Sequence, residues 1–298
     1  MKSKDWFNFI LLGSIWSSSF MWIKVAVQEV GPITLVAFRV LFGLLFGLGV
    51  VLIQRPSLPR DLRSWVPVLV LGITNVAIPF FLISWGEQTI DSGVASILDA
   101  TVPLFTILVA HYTLRDDRIT LPKLLGLLTG FAGVIVLMSR DLGASHSSLL
   151  GQLAVVVASV FYAGSAIYAR KTTESAPAVM RSVGPLISST AVMWLAVPLA
   201  ESPFTLPRLP LTWLGLLWLG VLGSGLAFVL LYRLIHDIGP TRSTMVTYLF
   251  PLGGVILGVL FLHERLTWEV VAGALLIIAG MFFVGWEPKP RAAEEAIG

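Results

Sequence analysis

Ten stretches of about twenty apolar residues run through almost the whole chain, and short charged joints separate them. A helix needs ~20 apolar residues to cross a hydrocarbon layer of ~30 Å, so each stretch predicts one membrane-spanning helix. Charged residues make up 12% of the chain, whereas a soluble domain has about 25%. The predicted fold class is therefore an all-α membrane protein with ten transmembrane helices. The predicted spans are Trp6–Val27, Pro32–Ile53, Ser64–Trp85, Gly93–Tyr112, Pro122–Ser139, Leu149–Tyr168, Pro177–Leu199, Leu211–Tyr232, Pro240–Leu262 and Trp268–Gly285.

Lys and Arg are distributed unevenly between the two ends of these spans. If the amino terminus is cytoplasmic, fifteen of the 20 Lys and Arg lie on the cytoplasmic side and Arg39 lies within a span. The four on the outer side are Lys24, Arg140, Arg208 and Arg265. Because cytoplasmic loops carry the excess of positive charge, both termini are expected in the cytoplasm. The first apolar run is too long for a signal peptide and is expected to be retained as a helix.

The second half of the chain repeats the first. Pro103 and Pro251 are 148 residues apart, and the same interval separates Leu71-Gly72 from Leu219-Gly220. Each half has five spans, an odd number, so the second copy must enter the membrane upside down. Inverted repeats of this kind often build transporters, although a duplication that served only folding is the alternative. We expect one repeat over residues 1–140, an inverted one over 141–286, and a cytoplasmic tail without fixed structure over 287–298.

Several motifs resemble a known family. The first span reads Gly13-Ser14-Ile15-Trp16-Ser17-Ser18-Ser19-Phe20, with Lys24 beyond it, and the second span combines Pro32 with Arg39. Together with the repeated Pro103 and Pro251 segments, these motifs resemble the drug/metabolite transporter superfamily, EamA-type branch, over the whole chain. The resemblance implies a central cavity between the halves, with the fifth and tenth helices at the periphery. The chain is most similar to bacterial amino-acid and metabolite exporters, including aromatic amino-acid exporters, which implies a location in the inner membrane.

Two prolines are predicted to act as hinges. A Pro inside a helix leaves the carbonyl four residues earlier without its donor. Pro103 frees the carbonyl of Asp99 and Pro251 frees that of Thr247, and these two positions are equivalent in the repeat. Paired interruptions in corresponding segments indicate a transporter's binding site and moving parts. A kink that shapes only the packing is the alternative, because Pro is common in membrane helices.

One acid and one base are predicted to lie deep within the spans. Asp99 and Arg39 are each six or seven residues from the outer end of a span, ~10 Å down a helix. A charge at this depth is costly unless it is paired, protonated or faces water. We therefore predict an Arg39–Asp99 interaction that works as a gate or as a polar contact for a zwitterionic substrate. A structural ion pair between two helices is the alternative.

Aromatic and hydroxyl side chains form a second candidate surface. Phe161, Tyr162 and Ser165 lie 145 residues after Trp16, Ser17 and Phe20, so the first and sixth spans correspond. Aromatic faces beside hydroxyl groups suit a mostly apolar solute with one or two hydrogen-bonding groups. Taken singly, each residue is more typical of packing or of the interfacial belt than of ligand binding. With Asp99, the predicted substrate-binding residues are Trp16, Ser19, Phe20, Asn75, Phe161, Tyr162, Ser165, Tyr168 and Tyr248.

Other function classes lack the residues that they need. The chain has no cysteine, no Gly-rich phosphate loop, no zinc-protease spacing after His263-Glu264 and no nucleophile elbow at Gly223-Ser224-Gly225. We therefore expect no cofactor, metal, catalysis or nucleic-acid partner, and the lipid bilayer and a small-molecule substrate as partners. The predicted function is export of uncharged or zwitterionic metabolites, amino acids first, by alternating access. A drug or other-metabolite exporter of the same superfamily, a channel, a membrane sensor and an intramembrane enzyme are the alternatives.

Overall fold

Ten helices account for nearly all of the described chain, and the described residues contain no strand. The computed structural model describes residues 3–56, 59, 61–113, 119–139, 146–174, 176–202, 205–238, 243 and 245–285. The helices are α1 (Ser3–Ala26), α2 (Pro32–Gln54), α3 (Leu62–Gly86), α4 (Ser92–Thr113), α5 (Leu121–Ser139), α6 (His146–Thr172), α7 (Ala178–Ala200), α8 (Pro210–Leu217 continued by Trp218–Leu226 and Ala227–Ile238), α9 (Met245–Leu262) and α10 (Trp268–Gly285).

The ten helices match the ten predicted spans and confirm the predicted fold class. Within the described residues, nine are long and apolar enough to cross a membrane, and the apolar part of the tenth, Trp268–Phe283, is shorter. The start of the ninth predicted span at Pro240 lies outside the described residues, as do the predicted tail and several of the basic residues used for orientation. Those basic residues are Lys2, Arg60, Arg115, Arg118, Arg140, Arg242, Lys289 and Arg291.

Successive helices run in opposite directions between two faces. The face at which α1 ends, here the distal face, carries the joints 27–31, 87–91 and 263–267 and the joint residues 201–202 and 205–209. There the Lys24 Nζ at the end of α1 donates to the carbonyl oxygens of Glu87 (2.7 Å) and Ile90 (2.8 Å). On the opposite, proximal face, the Lys171 Nζ near the end of α6 donates to the carbonyl oxygen of Thr113 at the end of α4. Thus α1 ends at the distal face, whereas α6 ends at the proximal one.

Helices α5 and α10 pack backbone against backbone through glycines. A Cβ atom at Gly280 of α10 would lie 2.7 Å from backbone atoms of Gly126 and Gly130 in α5. A Cβ atom at Gly133 of α5 would lie 2.8 Å from the carbonyl oxygen of Gly273 in α10. Such approach is possible only where both helices present a hydrogen instead of a side chain. The repeated glycines of the two halves therefore meet each other.

The structure has both interruptions at the prolines. In α4, the helix stops at Asp99 and resumes at Val102, one residue before Pro103. In α9, a 3-10 turn over Met245–Tyr248 precedes the helical segment that contains Pro251. The backbone is thus irregular at equivalent positions of the two halves, while the hinge role of the prolines stays a prediction.

Two further irregular segments were not predicted from the sequence. The backbone widens into π-helical turns over Gly72–Ala77 of α3 and Trp218–Leu226 of α8. The first segment, shifted by the repeat interval of 148 residues, falls inside the second. Wide turns of this type leave backbone groups without their regular partners and are frequent at functional sites. They place Thr74 and Asn75 in one half, and Gly223 and Ser224 in the other.

A glycine in each wide segment lets two helices cross closely. A Cβ atom at Gly220 of α8 would lie 2.8 Å from the carbonyl oxygen of Arg39 and 3.2 Å from the nitrogen of Gly43 in α2. The equivalent Gly72 of α3 faces the backbone of Pro185 in α7 in the same manner. The α2–α8 and α3–α7 contacts are therefore equivalent crossings, and each joins one half of the chain to the other.

Candidate functional site

Arg39 lies at the crossing of α2 and α8. Its side chain is only 4% exposed. The Nε atom donates to the hydroxyl oxygen of Ser224 (3.2 Å), and the guanidinium group lies 3.6 Å from the centre of the Phe80 ring in α3. The hydrogen bond joins the two halves, and the aromatic face compensates part of the cost of burying the charge.

Asp99 lies at the interruption of α4 and is 6% exposed. Its Oδ1 atom is buried and has no hydrogen-bond partner among the described residues. Arg39 and Tyr162 are within electrostatic range of this carboxylate, yet no direct ion pair joins Asp99 to Arg39. The predicted interaction is therefore one between neighbouring charges that are not in contact. A buried carboxylate oxygen without a donor is costly, and such an atom marks a position where a donor group could bind.

The first helix contributes aromatic and hydroxyl groups beside this charged region. The indole Nε1 of Trp16 donates to the carbonyl oxygen of Gly223 (3.1 Å), in the wide turn next to Ser224. Ser19 is buried and faces Gly223, where a Cβ atom would lie 3.2 Å from the Ser19 Oγ. Phe20 packs edge-on against Phe250 of α9, with ring centres 6.1 Å apart. Trp16, Ser19 and Phe20 thus lie together between α8 and α9, as predicted for neighbours on one helix.

The sixth helix places its predicted residues against α3 and α4. Ser165 donates its hydroxyl to Thr74 Oγ1 (2.9 Å) in the wide turn that also contains the half-buried Asn75. Tyr162 is close to Asp99, while Phe161 and Tyr168 are half-buried on the same helix. A Cβ atom at Gly164 would find no other heavy atom within 4 Å, so the described chain leaves open space there. The two predicted clusters therefore lie on either side of the Arg39–Asp99 region.

Tyr248 does not join this arrangement. Its hydroxyl donates to the carbonyl oxygen of Met281 in α10 (2.6 Å), so its polar group contacts the α5–α10 pair. This contact satisfies the hydroxyl within the protein. The sequence pattern could not distinguish it from a binding hydroxyl, because both belong to an aromatic residue within a span.

Glu87 was missed by sequence reasoning. It follows the last residue of α3, between the third and fourth predicted spans, and its side chain is fully buried. Both carboxylate oxygens lack a hydrogen-bond partner among the described residues, and the charges of Lys24 and Glu264 are close. A second acid is thus buried on the distal side of Asp99. No sequence signal indicates this burial, because Lys24 approaches Glu87 only through the packing of the helices.

Two cavities open at the faces of the bundle. The proximal cavity has a volume of about 480 Å³ and lies between the ends of α1, α2, α7 and α8, where Lys4, Gln54 and Arg233 line it. The distal cavity has a volume of about 330 Å³ and is lined by Lys24, Asp91 and residues of the α9–α10 joint. The described residues contain no group of three His, Cys, Asp or Glu side chains that could hold a metal ion.

Known proteins resemble this chain over nearly its full length. It is 25% identical over 279 residues to the uncharacterized transporter YoaV of Bacillus subtilis, covering 90% of this chain and 92% of that protein. It is 25% identical over 292 residues to a probable amino-acid metabolite efflux pump of Escherichia coli, covering 95% of each. A solved crystal structure superposes with a TM-score of 0.69 at 18% identity, over 95% of this chain and 98% of that chain, which shows a shared fold.

The sequence pattern of one family fits both halves. The EamA-like transporter family matches residues 6–139 and again residues 149–286. The two matches cover most of the chain and follow the same division into five and five helices. They agree with the paired helix interruptions and the equivalent crossings between the halves. The chain is a multi-pass membrane transporter that belongs to the EamA-like transporter family.

Proposed function

We propose that this protein is a secondary transporter that exports small uncharged or zwitterionic organic metabolites, aromatic and apolar amino acids first, by alternating access. The observation that supports the substrate class is a pair of buried opposite charges, Arg39 and Asp99, of which Arg39 contacts the other half of the chain. Arg39 presents donors and Asp99 presents an oxygen without a donor, and the two do not pair directly. An amino acid could place its carboxylate at Arg39 and its ammonium group at Asp99, while aromatic side chains contact the apolar part.

The opposite directions of α1 and α6 support the alternating-access mechanism. Halves that are inverted copies can exchange conformations, so that a site between them opens to either face in turn. The paired interruptions near Asp99 and Thr247 place deformable backbone in both halves. In the proposed orientation, the proximal face is in the cytoplasm and residues 1–140 and 141–286 are the moving units. The efflux-pump name of the Escherichia coli relative supports amino acids as the substrates to test first.

The test is transport by the purified protein in liposomes. A panel of radiolabelled amino acids is loaded inside and exchange is measured with and without a pH gradient. We expect transport of at least one apolar or aromatic amino acid. Asp99→Asn and Arg39→Gln should each lose this transport at normal protein levels, because each removes one of the two charges. Unchanged transport in both variants would refute the proposed site. If the native protein transports none of the amino acids tested, a drug or other-metabolite exporter would be favoured.

A further inference from the structure

Three glutamates on the distal face each accept hydrogen bonds from backbone N–H groups at the start of a helix, or just before it, and in each case that helix belongs to the other half. Glu201, in the joint before α8, accepts hydrogen bonds from the backbone N–H groups of Ile33 (2.7 Å) and Thr34 (2.9 Å) at the start of α2. The two bonds go to different carboxylate oxygens. The carboxylate therefore satisfies two of the four N–H groups that the first turn of a helix leaves unpaired.

Glu264 makes the same contact at another helix. Located in the joint between α9 and α10, it accepts from the backbone N–H groups of Ser92 (2.7 Å) and Gly93 (3.0 Å) at the start of α4. Again each carboxylate oxygen takes one N–H group. The acceptor belongs to the second half of the chain and the capped helix to the first.

Glu29 makes the reciprocal contact. It lies in the joint between α1 and α2, and accepts from the backbone N–H groups of Arg208 and Leu209 (3.0 Å), immediately before α8. The hydroxyl of Thr212 in the first turn of α8 also hydrogen-bonds to this carboxylate. Here the acceptor belongs to the first half and the capped helix to the second, so the contacts cross between the halves in both directions.

We propose that Glu29, Glu201 and Glu264 form a distal clamp that holds the two halves together on this face and must release whenever the distal side of the transporter opens. The inference rests on the alternating-access mechanism proposed above. Helix amino termini carry partial positive charge, so a carboxylate is the favoured partner, and bonds to a charged acceptor are stronger than neutral ones. The clamp thus makes these glutamates positioning residues of the transport cycle, remote from the substrate.

Two glycines leave the space that two of these carboxylates occupy. A Cβ atom at Gly31, just before α2, would overlap the carboxylate of Glu201. A Cβ atom at Gly258 of α9 would overlap the carboxylate of Glu264. Gly31 has an ordinary backbone φ of −66°, so an alanine there is conformationally acceptable. Gly31→Ala therefore displaces the Glu201 carboxylate while leaving it in the chain.

A single-cysteine reporter can test the clamp, because the native chain has no cysteine. Ser96 is fully buried in α4, and a Cβ atom at Gly254 of α9 would overlap its side chain, so Ser96 lies at a contact between the halves. The Ser96→Cys protein is reconstituted, and labelling by a membrane-impermeant thiol reagent is followed from the distal side. Glu201→Gln, Glu264→Gln and Glu29→Gln are added singly, as is Gly31→Ala.

Each clamp variant is expected to raise the labelling rate about tenfold, the factor that corresponds to losing one hydrogen bond to a charged group. Two matched controls should leave the rate unchanged. Asp61→Asn removes a carboxylate that caps its own helix through the N–H of Ser64 (2.9 Å), and Gly49→Ala adds a methyl group to α2 where no atom lies within 4 Å.

The possible results of these experiments distinguish a failure of the distal clamp from a failure of the proposed function. Labelling at the native rate in the glutamate variants and in Gly31→Ala would overturn the clamp, even if the native protein transports amino acids. Faster labelling in the clamp variants with native rates in both controls would support it. If no amino acid is transported by the native protein while the clamp variants still label faster, the substrate proposal fails and the distal clamp stands.

Discussion

Replacing Gly220 by Ala is expected to weaken the crossing of α2 and α8. The new Cβ atom would lie 2.8 Å from the Arg39 carbonyl oxygen and 3.2 Å from the Gly43 nitrogen, and would overlap the Cβ atom of Phe42. These neighbours are backbone or Cβ atoms, which move only if the helix moves. Ordinary contact with Phe42, the nearest of these neighbours, would require the two helices to separate by about 1 Å at this point, and overpacking of this kind costs ~1–3 kcal/mol.

The net effect is smaller, because Ala is a better helix former than Gly by ~0.5–1 kcal/mol. We therefore expect Gly220→Ala to lower the free energy of unfolding by about 1–2 kcal/mol. The separation also moves Arg39 away from Ser224, so transport should fall as well. Unfolding is measured by titrating SDS into mixed micelles. The matched control is Gly49→Ala on α2, where no atom lies within 4 Å of the new methyl group. Equal unfolding free energies for the two variants would refute the reasoning.

Three further outcomes follow from single contacts. Trp16→Phe keeps an aromatic side chain but loses the bond to the Gly223 carbonyl and part of the indole packing, and should lower the unfolding free energy in the same titration by at least ~0.6 kcal/mol. Tyr248→Phe should lower stability by a similar amount without changing the substrate concentration for half-maximal transport, because its hydroxyl contacts Met281. The hydrogen bond from Thr212 lowers the pKa of Glu29 below 4.5, so its stabilisation is complete above pH 4.5 and is lost as the pH falls through the folded-state pKa. Glu29→Gln should remove that part of the pH profile of unfolding.

The helices could be predicted because the bilayer imposes their length and polarity. The interruptions of α4 and α9 were also predictable, since Pro103 and Pro251 each remove a backbone donor. The π-helical turns of α3 and α8 were not. Gly72 and Gly220 are equivalent in the repeat, but a glycine does not by itself predict a π-helical turn. The wide turn depends on which helix crosses at that position, and this is known only from the structure.

The charged residues of the candidate site could be predicted from the sequence, but the residues that contact them could not. Arg39 and Asp99 were identified because a charge deep in a span is costly, and this holds whatever surrounds it. Ser224 and Phe80, which contact Arg39, are ordinary residues of membrane helices and become notable only through the packing. The burial of Glu87 was not predicted, for the opposite reason. It lies in a joint by sequence, and only the neighbouring helices bury it.

The charged residues break the symmetry that the helices follow. In the equivalent crossing, Pro185 of α7 meets Gly72 as Arg39 of α2 meets Gly220, and the position equivalent to Asp99 is Thr247. The two equivalent crossings give the halves similar helix packing, whereas Arg39 and Asp99 both belong to the first half. A solute with two different ends needs only one acid and one base, and a second buried pair would add the cost of desolvation without a second ligand. The asymmetry is therefore consistent with the proposed site for one zwitterionic molecule.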